Sequence, residues 1–215
     1  MNASSRGGAP AYRLEKQAVG PDHLESIERS LEGSDYVGAS PLGAEFVLTQ
    51  GFSLVFTRDH LDLVTETFPF LRHFLDTVAF ATSNAFFVNP LMMRSGSQVR
   101  PHIDCRLLDE QNLRIIPNLV SILYVRVPAE MKGGDIVLGS NRPDAVTMKP
   151  QSGDVLHFPG DIVHHVTPIL SDDTRLCVVC EQYRLTDEVL DGFPAFDVIT
   201  DADRYARQSD TIAAA

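Results

Sequence analysis

The sequence predicts a mainly β fold with flanking helices, in the form of an antiparallel sandwich or jelly roll. From Ala85 onward, short β-rich runs are separated by Gly, Pro, Asn and Asp, which is the pattern of such folds. Several runs, such as residues 176–179, are apolar at every position. We therefore expect a second sheet to cover one face of these strands and helices to cover the other. Eight core strands are predicted, at residues 86–93, 100–107, 119–127, 135–138, 145–148, 155–158, 162–169 and 175–183.

The region before the first core strand supplies the helices. Residues 21–31 predict a short helix with one apolar face. Residues 58–78 carry apolar side chains at three-to-four spacing, so a second amphipathic helix is predicted there, which Pro69 should kink or split. Between the two helices, residues 45–56 predict a pair of strands with a turn near Gly51.

The chain of 215 residues is predicted to form one domain overall. Four segments are expected within it. Residues 1–20 form a flexible N-terminal arm, and residues 21–84 form a helical and strand support region. Residues 85–185 form the β core that carries the site. Residues 186–215 form a C-terminal extension, of which residues 201–215 either form a terminal helix or fray.

The composition excludes two classes of partner. There are 18 Lys and Arg residues against 29 Asp and Glu residues, which gives a formal charge of −11, so no nucleic-acid partner is expected. No apolar run is long enough to span a bilayer, so no membrane association is expected. The N-terminal residues lack the apolar segment of a secretory signal, and the chain has only 3 cysteines. A cytoplasmic location is therefore predicted.

Cys177 and Cys180 form a C-x-x-C pattern inside one predicted strand. Residues i and i+3 of a strand point to opposite faces, so these two thiols should not share a metal or form a redox pair. We therefore interpret both as core residues.

The strongest chemical signal is the stretch Arg100-Pro101-His102-Ile103-Asp104. Residues i and i+2 of a strand project from the same face, so His102 and Asp104 can reach one metal ion. A second candidate ligand follows about 60 residues later in the pair His164-His165. Two histidines and one carboxylate on one side of a metal are typical of non-haem Fe(II) oxygenases. Only one histidine of the pair can face the ion, and periodicity does not choose between them.

An arginine follows the histidine pair at short range. Arg175 comes 11 residues after His164. A guanidinium group binds carboxylates with two parallel hydrogen bonds, so Arg175 could hold a dicarboxylate near the metal.

These motifs, taken in order, resemble a known family. From about Phe86 to Tyr183 the chain resembles the prolyl-4-hydroxylase-like branch of the Fe(II)/2-oxoglutarate-dependent dioxygenases. The resemblance covers slightly under half of the chain. The matching segments, in the family's order, are Arg100-Pro101-His102-Ile103-Asp104, Ile122-Leu123-Tyr124-Val125, Gly133-Gly134-Asp135-Ile136-Val137-Leu138, Lys149–Phe158, His164-His165-Val166-Thr167-Pro168 and Arg175.

The resemblance implies a double-stranded β-helix core, which is a jelly roll of the cupin-like kind. It also implies that His102 and Asp104 are catalytic metal ligands together with His164, because the family pattern H-x-V-x-P selects His164 over His165. The implied cofactors are Fe(II), 2-oxoglutarate as cosubstrate and O2, with ascorbate as a candidate reductant. Asp104 favours hydroxylation, since halogenating relatives lack this carboxylate.

Two further residues are implied in binding the cosubstrate. Arg175 would hold its far carboxylate. The gap from His164 to Arg175 is slightly longer than is usual in the family, so Arg184 is the alternative. Tyr124 either donates a hydrogen bond to the same carboxylate or is simply a core aromatic residue.

The resemblance implies a hydroxylase acting on an unactivated C–H bond of a small molecule, such as an amino acid or a natural-product intermediate. The alternatives are a protein hydroxylase acting on prolyl or other side chains, and a non-enzymatic cupin-like module that binds metal and ligand.

Residues 109–117 are a candidate lid. Four arginines could bind an anionic substrate or simply be solvated, and three asparagines could line a pocket. They are Arg94, Arg100, Arg106 and Arg114, and Asn84, Asn89 and Asn118.

Overall fold

The protein is described here from a computed structural model, which covers residues 11–105, 107–108 and 114–200. Within these residues, 12 strands form one antiparallel sheet in the order β1-β11-β8-β13-β5-β12-β9-β10, with β3 and β4 also paired to β5, and β6 pairs only with β7. The strands are β1 (Arg13–Glu15), β2 (Gly38–Ala39), β3 (Phe46–Gly51), β4 (Ser53–Thr57), β5 (Ala85–His102), β6 (Leu107–Leu108), β7 (Arg114–Ile115), β8 (Leu119–Arg126), β9 (Ile136–Leu138), β10 (Val146–Met148), β11 (Val155–Phe158), β12 (His164–Val166), β13 (Arg175–Tyr183) and β14 (Phe196–Ile199). This curled sheet confirms the predicted mainly β, jelly-roll fold.

Strand β5 is the shared element of the sheet. One of its edges pairs with β13 and then with β12, and the other pairs with β4 and then with β3. The sequence predicted two separate strands here. The chain instead continues through Gly96, which has a φ of +82°, a conformation that glycine adopts without steric cost. The Ser97 hydroxyl donates to Leu48 O at 2.6 Å across a bulge in β3, so the ladder continues past the bend.

Two other predictions about strands are corrected. Strands β3 and β4 do not pair with each other as a hairpin; both pair with β5. In the predicted flexible arm, residues 13–15 form β1 and pair with β11. Just after β1, Lys16 Nζ lies 2.7 Å from an oxygen of the fully buried Asp154 carboxylate. An ion pair to a buried carboxylate, together with strand pairing, holds this segment in place.

Three of the four α-helices in the described residues lie where the apolar periodicity placed them, and the fourth, near the C-terminal end, was not predicted. The helices are α1 (Pro21–Glu32), α2 (Leu61–Thr67), α3 (Arg72–Val78) and α4 (Asp187–Asp191). The predicted split at Pro69 is observed, since α2 ends before Phe68 and a short 3-10 turn at Pro69–Leu71 leads into α3. Proline lacks the N–H that a continuous helix would need and disfavours helical geometry at the residue before it.

Two hydrophobic cores lie on opposite sides of the sheet. The inner core lies inside the curl and contains Tyr124, Leu138 and Cys177. The outer core lies between the sheet and helices α1 to α3 and contains Phe74 and Cys180. The two cysteines of the C-x-x-C pattern are thus on opposite faces of β13, as strand alternation predicts.

No helix in the described ranges combines the length and the apolar character that a bilayer crossing needs. The predicted alternatives for residues 201–215 concern residues outside the described part of the chain.

Candidate metal centre

The structure brings His102, Asp104 and His164 together at the mouth of the inner core. His102 is the last residue of β5, and His164, the first residue of β12, lies directly opposite it in the ladder. His102 Nε2 is 3.2 Å from Asp104 Oδ1, and His164 Nε2 is 3.5 Å from Asp104 Oδ2. One ligand atom from each residue lies within 4.8 Å of the others. Two segments distant in sequence therefore present three donor atoms to one point.

The hydrogen bonds of both histidines define their tautomers. His102 Nδ1 lies 2.9 Å from Arg100 O, and His164 Nδ1 lies 3.0 Å from Ile162 O. A backbone carbonyl can only accept, so Nδ1 carries a proton in both rings, and Nε2 is the nitrogen that each ring can offer to a metal. Both Nε2 atoms face oxygens of the Asp104 carboxylate, so one cation could bind all three groups. Backbone-anchored imidazoles of this kind are usual among metal ligands, so the three residues fit a divalent metal.

Burial supports the neutral state of His164. Its side chain is 6% exposed. Burial lowers the pKa of His164, and the Asp104 carboxylate opposes this shift. A neutral imidazole is the form that binds a metal.

His165 points away from this centre. Its Nδ1 lies 2.6 Å from the Ser140 hydroxyl, and the residue is half-buried. The orientation follows from alternation along β12, where neighbouring side chains leave opposite faces.

His157, on β11, is a buried histidine with both ring nitrogens engaged. Its Nδ1 lies 2.9 Å from the Ser121 hydroxyl, and its Nε2 lies 3.3 Å from a Glu15 carboxylate oxygen. One ring nitrogen therefore contacts a residue of β8, and the other contacts a residue of β1.

Arg175 begins β13 and lines the same cavity as the three candidate ligands. It is only 1% exposed. Its guanidinium carbon lies 5.1 Å from the centre of the Tyr124 ring, and Nη1 lies 3.0 Å from the Met93 sulfur, a weak acceptor. Arg184, the alternative, is exposed. The structure thus places Arg175 in the cavity and Arg184 on the surface.

Two buried polar atoms beside the cavity keep unused hydrogen-bonding capacity. Among the described residues, neither Arg175 Nε nor the Tyr124 hydroxyl has a hydrogen-bond acceptor, although the Arg175 guanidinium interacts with the Tyr124 oxygen. Burial raises the pKa of Tyr124 well above its ordinary value, although the Arg175 guanidinium opposes the shift. The hydroxyl is therefore a neutral donor. Buried polar groups are normally paired, so a donor pair of this kind fits a carboxylate ligand.

The sequence reasoning missed one cavity residue, Glu181, and did not select another, Asn89. Glu181 is 2% exposed, Asn89 is 3% exposed, and both line the cavity. Alternation along β13 could have identified Glu181, because residues 175, 177, 179 and 181 share one face. Asn84 and Asn118 instead bind backbone groups of Leu185 and Arg184.

The arginines considered for an anionic substrate lie elsewhere. Arg94, Arg100 and Arg114 are exposed. Arg106 lies outside the described residues, as do residues 109–113 of the candidate lid. Exposure favours ordinary solvated charge for Arg94 and Arg100, whereas Arg114 Nη1 lies 3.5 Å from the Cys105 sulfur.

Solved structures share this architecture. A prolyl-4-hydroxylase from Pseudomonas putida aligns over 81% of this chain and 93% of its own, with a TM-score of 0.57 and 15% identity. HygX from Streptomyces hygroscopicus, solved with nickel and 2-oxoglutarate bound, aligns over 80% and 82%, with a TM-score of 0.55 and 13% identity. The chain has the fold of the 2-oxoglutarate/Fe(II) oxygenases. An oxidoreductase of that family from Burkholderia pseudomallei aligns over 81% and 86%, with a TM-score of 0.51 and 14% identity.

The likeness is one of structure and not of sequence. No model of a known protein family matches the chain, and no curated protein matches it. The resemblance found in the sequence is confirmed at the level of the fold.

Proposed function

We propose that the protein is an Fe(II)- and 2-oxoglutarate-dependent dioxygenase that hydroxylates an unactivated C–H bond of a small molecule. One observation supports this most strongly. A His-Asp-His donor set and a buried arginine with unused hydrogen-bonding capacity line one cavity. The first suits a ferrous ion with open positions, and the second suits the far end of a dicarboxylate.

His102, Asp104 and His164 would hold the iron, with both rings oriented by backbone carbonyls. When bound, the iron supplies the oxidative chemistry in which 2-oxoglutarate and O2 give succinate, CO2 and a hydroxylated product. The remaining tasks of the protein are to position the reactants and to exclude water from them.

Arg175 and Tyr124 would bind the far carboxylate of 2-oxoglutarate. The guanidinium lies against the Tyr124 ring, which fixes the plane in which its N–H groups donate. The Tyr124 hydroxyl adds a neutral donor, so one carboxylate would accept hydrogen bonds from both side chains.

The buried setting of the site supports a small substrate over a protein. The side chains of His102, Asp104 and His164 are 5–7% exposed, and apolar residues such as Ile136 and Val166 wall the cavity. Structures with this fold include prolyl hydroxylases, so a protein hydroxylase is the second candidate. The three free thiols support the proposed cytoplasmic location.

The test is anaerobic addition of Fe(II) and 2-oxoglutarate, which should give a weak charge-transfer band near ~500 nm, as expected for the chelate. His102→Ala and Asp104→Ala should lose the band and succinate release while keeping the cooperative thermal unfolding of the wild type. His23→Ala, on the exposed face of α1, is the matched control and should keep both. Near-normal succinate release from either ligand variant would contradict the metal assignment.

A further inference from the structure

We propose that Asn89 determines substrate specificity, and that the substrate presents to it an uncharged group that both donates and accepts hydrogen bonds, such as a carboxamide. This inference rests on the function proposed above and names a substrate class for it. It concerns a polar side chain of the cavity wall that has no role in binding the metal or the far carboxylate of the cosubstrate.

The backbone of β5 directs Asn89 toward the inner core. Asn89 lies opposite Val179 in the ladder between β5 and β13, and it precedes Pro90, which restricts the residue before it to extended conformations. Its neighbours at alternate positions, Phe87 and Leu91, belong to the inner core, and strand alternation puts Asn89 on the same face. Asn89 is 3% exposed and lines the cavity that the three candidate metal ligands also line. A ligand bound to its amide would therefore share the cavity with the metal.

The Asn89 amide carries hydrogen-bonding capacity that the described residues do not use. No hydrogen bond joins this side chain to another described residue, although an amide has two donor hydrogens and an acceptor oxygen. The cavity wall beside it is apolar, with Leu91 and Val179 adjacent and Ile122 on the next strand. Buried polar groups normally have partners, so an amide in this apolar wall indicates a ligand that pairs with it.

Glu181, which also lines the cavity, is already engaged. Its carboxylate accepts a hydrogen bond from the buried Tyr183 hydroxyl and has a further interaction. The metal would engage Asp104, and the far carboxylate of 2-oxoglutarate would engage Arg175. A charged substrate group beside Asn89 would therefore lose its water without gaining an opposite charge, whereas a neutral group would lose little and gain hydrogen bonds.

The distance from Arg175 separates Asn89 from the cosubstrate. Val179, which lies opposite Asn89, is four positions from Arg175 along β13, which corresponds to roughly 13 Å between backbone positions. The carbon chain of 2-oxoglutarate has four carbon–carbon bonds and spans roughly 5 Å. A cosubstrate anchored at Arg175 would therefore leave the Asn89 amide to the substrate.

Ser53 would hold the Asn89 amide in one orientation. Leu54 lies opposite Val88 in the ladder between β4 and β5, and the last residues of β3 keep the same register. The preceding position of β4, Ser53, is therefore opposite Asn89. The Ser53 hydroxyl is fully buried and has no hydrogen-bond partner among the described residues. Opposite residues of an antiparallel pair have Cβ atoms about 4.5–5.5 Å apart, so rotation of the amide can bring the two groups into hydrogen-bonding distance.

Direct binding tests the proposal without turnover. Wild-type protein loaded with Ni(II) and 2-oxoglutarate would be titrated calorimetrically with hexanamide, cyclohexanecarboxamide and benzamide, each matched with the corresponding methyl ketone, carboxylate and primary amine. We expect at least one carboxamide to bind at least about tenfold more tightly than its three matched compounds, because each of these lacks a donor or brings a charge. Equal binding of carboxamides and ketones, tighter binding of the charged compounds, or no binding by any carboxamide would overturn the proposal.

Two variants assign the preference to Asn89. Asn89→Leu keeps the approximate size of the side chain but removes its amide, so the preference for carboxamides should disappear while 2-oxoglutarate binds as it does to the wild type. Val179→Ala, which shortens the apolar residue opposite, is the matched control: carboxamides and ketones should weaken together, and the preference should remain. A preference that is unchanged in Asn89→Leu, or lost in Val179→Ala, would overturn the proposal.

Ser53→Ala tests the positioning role of Ser53. The preference for carboxamides should fall a few-fold. The melting temperature of the ligand-free protein should stay the same or rise, because the hydroxyl has no hydrogen-bond partner there. An unchanged preference would show that Ser53 does not position Asn89.

The outcome separates this inference from the proposed function. If 2-oxoglutarate fails to bind the Ni(II)-loaded wild type, the proposed function fails. If it binds and the preference for carboxamides is absent, the proposed function stands and the assignment of Asn89 falls. Weaker 2-oxoglutarate binding by Asn89→Leu would place Asn89 in the cosubstrate site and would also overturn the inference. Should Asn89→Leu not fold, the comparison of carboxamides with ketones on the wild type still decides.

Discussion

The inner and outer cores differ in whether their buried polar groups are hydrogen-bonded. In the outer region, the Gln182 amide is fully engaged: Nε2 donates to Val78 O at 2.9 Å and to the Ser121 hydroxyl at 3.0 Å, and Oε1 accepts from Phe80 N at 2.9 Å. In the inner core, Arg175 Nε and the Tyr124 hydroxyl are equally buried but have no hydrogen-bond acceptor among the described residues. Unsatisfied polar groups destabilise a folded protein. The unsatisfied groups of the inner core therefore destabilise the ligand-free protein, and a ligand that binds them would remove that destabilisation. The outer core mainly stabilises the fold.

The largest expected difference lies within one short strand of the inner core. His164→Ala should abolish 2-oxoglutarate turnover, because it removes a metal ligand. His165→Ala should retain at least part of the activity, because the His165 ring bonds to Ser140. Succinate release and bound iron would be measured for both variants. The reverse result would exchange the roles of the two histidines.

The outer core is tested by Phe74→Ala in α3. Phe74 is fully buried, so truncation should lower the free energy of unfolding by about 3–5 kcal/mol. The 2-oxoglutarate affinity of the folded fraction should stay at the wild-type value. Denaturant melts and equilibrium binding below the transition give the two quantities. A large loss of 2-oxoglutarate affinity with little loss of stability would contradict the assignment of binding to the inner core and of stability to the outer core.

Arg175→Met, compared with Arg184→Met, tests which arginine holds the cosubstrate. Removing the buried guanidinium should weaken 2-oxoglutarate binding by about 2–5 kcal/mol, as for truncation of one partner of a buried charge pair. The exposed Arg184 should have little effect. Calorimetry on metal-loaded protein measures both, and unchanged affinity in Arg175→Met would move the role elsewhere.

Tyr124→Phe gives the smallest expected effect and the sharpest test of the comparison. It removes a buried hydroxyl that has no hydrogen-bond acceptor among the described residues. The ligand-free protein should keep its stability or gain some, whereas 2-oxoglutarate binding should weaken by about 0.5–1.5 kcal/mol. Thermal melts with and without 2-oxoglutarate would show both changes. Unchanged cosubstrate affinity would leave Tyr124 as a core aromatic residue only.

Local pattern predicted much of this structure. The bounds of β11 and β13 agree with the strands predicted at residues 155–158 and 175–183, and the helix break at Pro69 follows from proline chemistry. The spacing of His102 and Asp104 indicated a shared metal before any geometry was known. Each of these features depends on residues within a few positions of each other.

Strand β5 shows where local pattern failed. Gly96 is a turn signal in sequence, yet the strand passes through it because partners pair along both edges. Segment 13–15 similarly becomes a strand only because β11 presents a free edge to it. Strand pairing depends on context more than on the residues themselves.

The sequence by itself determined which side chains share a face, because alternation along a strand is a local property of the backbone. Alternation along β13 separates Cys177 from Cys180 and puts Glu181 on the face of Arg175. The spacing of His102 and Asp104 indicated a shared ion, but Asp104 lies beyond the end of β5, so alternation is not the reason that the two side chains meet. Only the tertiary structure decided which residues the side chains of each face contact. It turned His164 rather than His165 toward Asp104, and it buried Arg175 beside Tyr124 while leaving Arg184 exposed. The physical reason is that burial and ligand geometry depend on contacts between residues far apart in the chain, which alternation does not specify.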